Sequence, residues 1–150
     1  MNIVDENIAH QQLRNIFSIQ IKHEIEYVDQ CIANRTAAHW NNLGQVYKLI
    51  DLFEPTQRNS IVMHRDLIRA RINADHTLDG NQKENLQYKA TLLVVQDALE
   101  HTLPILHGDY SACEKTCDYK QYANDDYVVL VTQQLLADNV KHQGNDQLQR

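Results

Sequence analysis

The chain has 150 residues, of which 43% are hydrophobic and 23% charged, enough for one domain that buries about 68–70% of its unfolded surface. Its 14 Lys and Arg against 20 Asp and Glu give a net charge of -6, which repels a phosphate backbone and disfavours nucleic acid as a partner. Four Gly and two Pro are too few for the many turns of a β-sandwich or barrel, so the expected fold class is all-α.

At the start of the chain, Met1 to Glu6 has neither a basic cluster nor an apolar run, so no secretory signal is expected. The longest apolar runs, 92–95 and 127–131, are too short to span a bilayer, and no membrane association is expected. Three cysteines, an odd number, argue against a disulfide framework and for a reducing compartment. The expected location is cytoplasmic.

Residues 5–33 lack Gly and Pro, and Leu13, Phe17, Ile21, Ile25, Val28 and Ile32 recur at spacings of 3 and 4, the periodicity of a helix. The stretch reads either as one long helix or as a hairpin broken near Ser18. Asn34-Arg35-Thr36 punctuates it, with Asn34 or Thr36 available to cap a following helix. That helix is expected over 37–53, because Glu54 precedes Pro55 and a residue before proline avoids helical geometry. Within it, Trp40, Leu43, Gly44 and Tyr47 sit at offsets 0, 3, 4 and 7 and share one face. Gly44 at the centre predicts the close approach of a neighbouring helix, since an interior glycine otherwise costs about 1 kcal/mol relative to alanine.

A further helix is expected over 56–74, with Ile61, Ile68 and Ile72 inward and Arg58, Arg65, Arg69 and Arg71 as its basic complement. Asp79-Gly80 reads as the turn that closes it. The next helix, 81–103, carries the stripe Leu86, Ala90, Leu93, Val94, Leu99 and Leu103, and Pro104 and Gly108 end it. A partly helical segment is expected over 109–122. Tyr127 to Asp138 forms a last amphipathic helix through Val128, Val131 and Leu135, despite the strand-like composition of 127–131. Residues 1–138 are therefore read as the folded domain, and 139–150, without an apolar face, as a disordered tail.

The pattern W-x-x-L-G-x-x-Y at Trp40 to Tyr47 resembles the first-helix signature of tetratricopeptide repeats. The match covers eight residues. The resemblance implies stacked antiparallel helix hairpins with a C-terminal capping helix, and a scaffold that takes a peptide or partner protein in a groove lined by first helices. In that family the groove-facing positions correspond to Asn41, Asn42, Gln45 and Lys48. The resemblance also prefers the hairpin reading of 5–33.

Other chemistry is less well marked. Arg58-Asn59-Ser60-Ile61-Val62-Met63-His64 resembles the arginine, polar residue, spacer and histidine motif of the HEPN ribonucleases and nucleotide-binding domains, which would give Arg58 and His64 electrostatic and acid–base roles. Cys113 and Cys117, one helical turn apart and close to His107, form the best local metal candidate, with Asp109 or Asp118 as a further ligand. Asp97 and His101 form another one-turn pair, read as a surface interaction. There is no glycine-rich phosphate loop or Ser-His-Asp signature. No cofactor is expected, and the leading expectation is a non-enzymatic interaction module. A homodimer is expected as well, because Ile16, Ile19, Ile21, Ile25 and Ile32 surround the first helix instead of lining one stripe.

Overall fold

The computed structural model describes residues 3–40, 43–51, 53, 55–100 and 124–148, and among them every regular element is helical. The elements are α1 (Ile3–Asn34), α2 (Leu43–Ile50), α3 (Pro55–Asn73), α4 (Gly80–Glu100) and α5 (Asp125–Leu148). The chain is an all-α protein.

α1 is a single helix of 32 residues, roughly 48 Å long at 1.5 Å per residue, and is not broken near Ser18. Ser18 is about as good a helix former as the Phe17 and Ile19 that flank it, so it sets no break, and the apolar stripe keeps its register along one continuous rod. The helix ends in a Schellman cap: Arg35 takes φ 59°, its N–H donates to Ile32 O at 3.2 Å, and Thr36 N–H donates to Cys31 O at 3.0 Å. Asn34 and Thr36 thus close α1 instead of opening α2.

The helix expected over 37–53 is shorter, because residues 36–40 are non-helical and α2 begins at Leu43. Trp40 and Tyr47 therefore do not share a helical face. Gly44 is exposed, and a Cβ built there would meet nothing within 4 Å, so the close approach expected at this glycine is absent. What α2 buries is Val46, Leu49 and Ile50, continued by Phe53, the i, i+3, i+4, i+7 face of a short amphipathic helix.

α3 places Ile61, Ile68 and Ile72 in the core, each fully buried. The turn after it lies at 74–78, where Asp75 Oδ1 accepts from Thr77 N–H at 2.8 Å. Asp79 does not close α3; it caps α4. Gln82 N–H donates to Asp79 Oδ1 at 2.8 Å while Asp79 N–H donates to Gln82 Oε1 at 2.9 Å, a reciprocal capping box that satisfies donors a bare helix start leaves open.

α4 is the central helix. Leu86, Tyr88, Ala90, Leu92, Val94 and Val95 are all fully buried, so it is apolar on more than one side and packs against α1, α3 and α5. It runs antiparallel to α1: Asn85 takes Ala38 N–H on Oδ1 at 2.8 Å, whereas Tyr88 OH reaches back to Glu24 at 2.7 Å. It also runs antiparallel to α5, with Asp97 near Tyr127 and Lys89 near Asp138. Because α1 packs on both α4 and α5, far from it in sequence, these helices close into a bundle. A stack of hairpins, in which each unit touches only its neighbours, does not describe these contacts.

Inside the bundle Lys89, 2% exposed, joins three helices: its Nζ lies 2.6 Å from Asp29 of α1 and 3.3 Å from Asp138 of α5. Breaking such a buried network by removing one partner typically costs about 3–5 kcal/mol, because it strands the remaining charge. α5 continues to Leu148, and Asn139 is 3% exposed, so 139–148 is helix and not a disordered tail. The ion pair of Asp138 with Lys89 and the contact of His142, whose Nε2 lies 3.4 Å from Asp29, supply the anchoring that apolar periodicity does not reveal. The segment expected to be partly helical, 109–122, lies outside the described residues.

Candidate functional site

The described residues between α1 and α3, 36–40, 43–51 and 53, lead from the end of α1 back to the start of α3, and α2 is the helical part of this strap. Its inner face enters the core. Its outer side is clipped to α3 by successive arginines, which lie on one stripe of that helix at offsets 0, 7 and 11. Arg58 faces Asp51 at 3.8 Å, the Arg65 guanidinium lies 5.5 Å from the centre of the Tyr47 ring, and that of Arg69 lies 5.4 Å from the Trp40 ring. The strap thus runs antiparallel to the arginine stripe. Trp40 is held from its other side by Tyr88, stacked at 5.1 Å and 18°. Cation–π contacts at such partly exposed sites contribute about 0.5–1 kcal/mol each, so the clip fixes where the strap lies without locking it.

Between α2 and α1 the packing is incomplete. A groove of about 280 Å³ has Phe17, Ile21, Val46 and Leu49 as its floor and Gln20, His23, Glu24 and Gln45 around its rim. Apolar depth with a few polar groups at the edge is the usual make-up of a binding cleft. The α1 wall continues toward the N-terminus through Ile16, which shares a helical stripe with Gln20 and His23, and through Ile19; these side chains are 51% and 58% exposed.

Of the groove-facing residues expected from the sequence, Gln45 lies on this rim and Lys48 is exposed. Asn41 and Asn42 lie outside the described residues, as do His107, Cys113, Cys117 and His101. Among the described residues no group of His, Cys, Asp and Glu side chains could hold a metal ion. Asp97 accepts a hydrogen bond from Tyr127 OH at 2.6 Å, and burial together with that carboxylate pushes the phenol's pKa well above its ordinary value.

His64 is fully buried, and both of its ring nitrogens are engaged. Nδ1 donates to Ser60 O at 2.6 Å, and Nε2 accepts Asn124 N–H at 3.0 Å. Asn124 is itself the N-cap of α5, its Oδ1 taking Tyr127 N–H at 3.0 Å. Tyr127 packs edge-on against the imidazole at 5.3 Å. The histidine therefore ties α3 to the start of α5 as a neutral ring with a fixed tautomer. Burial lowers its pKa, against the smaller opposing influences of Ser60 O and Asp125. Arg58 is six residues away, about 120° around the helix, and turned toward Asp51. The geometry does not bring Arg58 and His64 together.

The groove was not read from the sequence, since an apolar residue looks the same in a core stripe and on a surface, whereas the α1 isoleucines were, as an apolar surface for self-association. The signal available was the excess of isoleucine around α1. No family model, curated protein or solved structure matches this chain.

Proposed function

We propose that this chain is a non-enzymatic protein-interaction domain, and that the α1–α2 groove with its isoleucine shoulder is where a partner's apolar segment docks. The observation that carries the reading is the juxtaposition of an apolar floor, a rim of hydrogen-bonding side chains including Gln45, and two large aliphatic residues left in water next to it. Contiguous exposed apolar surface rimmed by polar groups marks interaction sites more often than scattered exposed residues do. A helix or extended segment lying along α1 would bury Ile16 and Ile19 and place one anchor side chain over Phe17 and Val46. The HEPN-like reading gains no support from a histidine whose two nitrogens already serve the fold.

The test is site-specific photo-cross-linking in the source cell, with a photoreactive residue at position 45. The expected result is a discrete adduct, either with another protein or with a second copy, that disappears when Ile16→Glu and Ile19→Glu are introduced together. Absence of any discrete adduct, or an adduct indifferent to that double substitution, would overturn the proposal.

A further inference from the structure

The two halves of α5 are held to the bundle by different means. As far as Leu136 the grip is apolar: Tyr127, Val128, Val131 and Leu135 are buried, and Leu136 packs against the core. Carried on from Leu135 at offsets 3, 4 and 7, the same inward stripe becomes Asp138, Asn139 and His142, while Val140 is exposed. We infer that the second half, from Asp138 to Leu148, is a latch. It opens as one unit while the rest of the bundle stays folded, and its opening bares Lys89.

The closed latch carries its own costs. The Asn139 side chain is 3% exposed, and its Oδ1 is shut off from water without a hydrogen-bond partner. Closure therefore strips water from an acceptor and gives nothing back. Gly144 lies inside the helix, and a Cβ built there would meet nothing within 4 Å, so it has the low helix propensity of glycine with no close approach to justify it. The polar contacts that opening gives up are replaceable by water. They are Lys89 with Asp138 at 3.3 Å and His142 with Asp29 at 3.4 Å, and the Asp138 and His142 side chains are both partly exposed. Lys89 meanwhile keeps Asp29 at 2.6 Å, so opening strands no buried charge. A free helix this short is marginal in water, so once its contacts are gone the segment unwinds together.

The rest of the bundle has its own ties. α1 and α4 are joined by Asn85, which accepts from Ala38 N–H and donates to Thr36 O, and by Tyr88 OH donating to Glu24. The first half of α5 is fixed by Asn124 N–H on His64 and by Tyr127 OH on Asp97. What the latch covers is Lys89, 2% exposed although it carries a charge. Ile32 and Asn85 border the same cleft as Asn139. Opening thus turns a closed end of the bundle into one that presents an ammonium group, the Asp29 carboxylate and Ile32 to water. The latch is independent of the α1–α2 groove, which is lined by other residues.

Native-state hydrogen exchange of the full chain, read by NMR at low denaturant concentrations, tests this together with acylation of the Lys89 amine in the same samples. The amides of 141–146 should exchange as a group, about a hundredfold or more faster than those of 129–135 once intrinsic rates are removed. Their exchange should depend little on denaturant, because the opening exposes little surface. Lys89 should be acylated at a rate that follows the same opening, although it lies on the central helix. Gly144→Ala, which has room for its methyl group, should slow both processes about fivefold, and Asn139→Leu, which removes the enclosed acceptor, should slow them as well. Protection that falls residue by residue toward the end of the chain, with Lys89 acylated only through global unfolding, would mean simple fraying and overturn the latch. Equal protection in the two halves of α5, or Lys89 acylation indifferent to both substitutions, would overturn it too.

Discussion

His64 illustrates how one residue in a sequence motif acquires its role from its neighbours. A histidine six positions after an arginine reads as acid–base chemistry, yet with both nitrogens engaged and the ring sealed under Tyr127 it acts as a structural cap. Substitution by alanine removes the acceptor for Asn124 N–H and leaves a hole beside Tyr127, which together cost about 2–4 kcal/mol. The pH dependence follows from the lowered pKa. The folded state favours the neutral ring, whereas the unfolded chain takes up a proton near the ordinary value of 6.5. Stability from this residue is therefore complete above pH 6.5, declines as pH falls below it, and is lost by the time pH has passed through the lower folded-state pKa. Chemical denaturation at about pH 7.5 and pH 5.5 should show a loss in the wild-type chain that is smaller in His64→Gln. Equal losses in both would mean that another group carries the acid sensitivity.

At the scale of elements, what the sequence revealed depended on whether apolar spacing alone decided the outcome. Ile61, Ile68 and Ile72 on α3, and Val128, Val131 and Leu135 on α5, are buried where their spacing places them. The strap was misread because Trp40, Leu43, Gly44 and Tyr47 have helical spacing in the sequence, while Trp40 is recruited by Tyr88 and Arg69 from outside the helix. Those partners are distant in sequence, and local periodicity cannot report them. The extent of α5 was missed for the same reason, its polar second half being held by the Lys89–Asp138 ion pair and the His142–Asp29 contact across the bundle. Gln45, expected from the repeat resemblance, lies on the rim of the groove, while nothing in the sequence marked Phe17, Ile21, Val46 and Leu49 as its floor. The open surroundings of Gly44 have a measurable consequence: with nothing within 4 Å of a Cβ, Gly44→Ala should stabilise the protein by about 0.5–1 kcal/mol through helix propensity. A loss of stability on that change would restore the close approach that the signature suggested. Thermal and denaturant unfolding measure the difference directly.

On the scale of the whole molecule, the unfinished surface is the outside of α1. Ile21, Val28 and Ile32 are spent on the core, while Ile16 and Ile19 remain more than half exposed, so the helix is apolar on two sides and only one has a neighbour among the described residues. A second copy related by a two-fold axis is the simplest way to cover the other side, because an isologous contact sets the same pair of isoleucines against itself. Sedimentation velocity at micromolar concentration should therefore show a dimer. Ile16→Glu with Ile19→Glu would place two carboxylates per chain in that contact and raise the dissociation constant at least a hundredfold, about 2.7 kcal/mol. Because both positions are exposed, the circular dichroism of the variant should match that of the parent, which separates loss of association from loss of fold. Val140→Glu is the control: Val140 is 70% exposed on α5, and a dimer joined through α1 should tolerate it. A wild-type chain that sediments as a monomer would refute self-association and leave the isoleucine shoulder to a different partner, whereas a dimer broken by Val140→Glu alone would move the contact from α1 to α5.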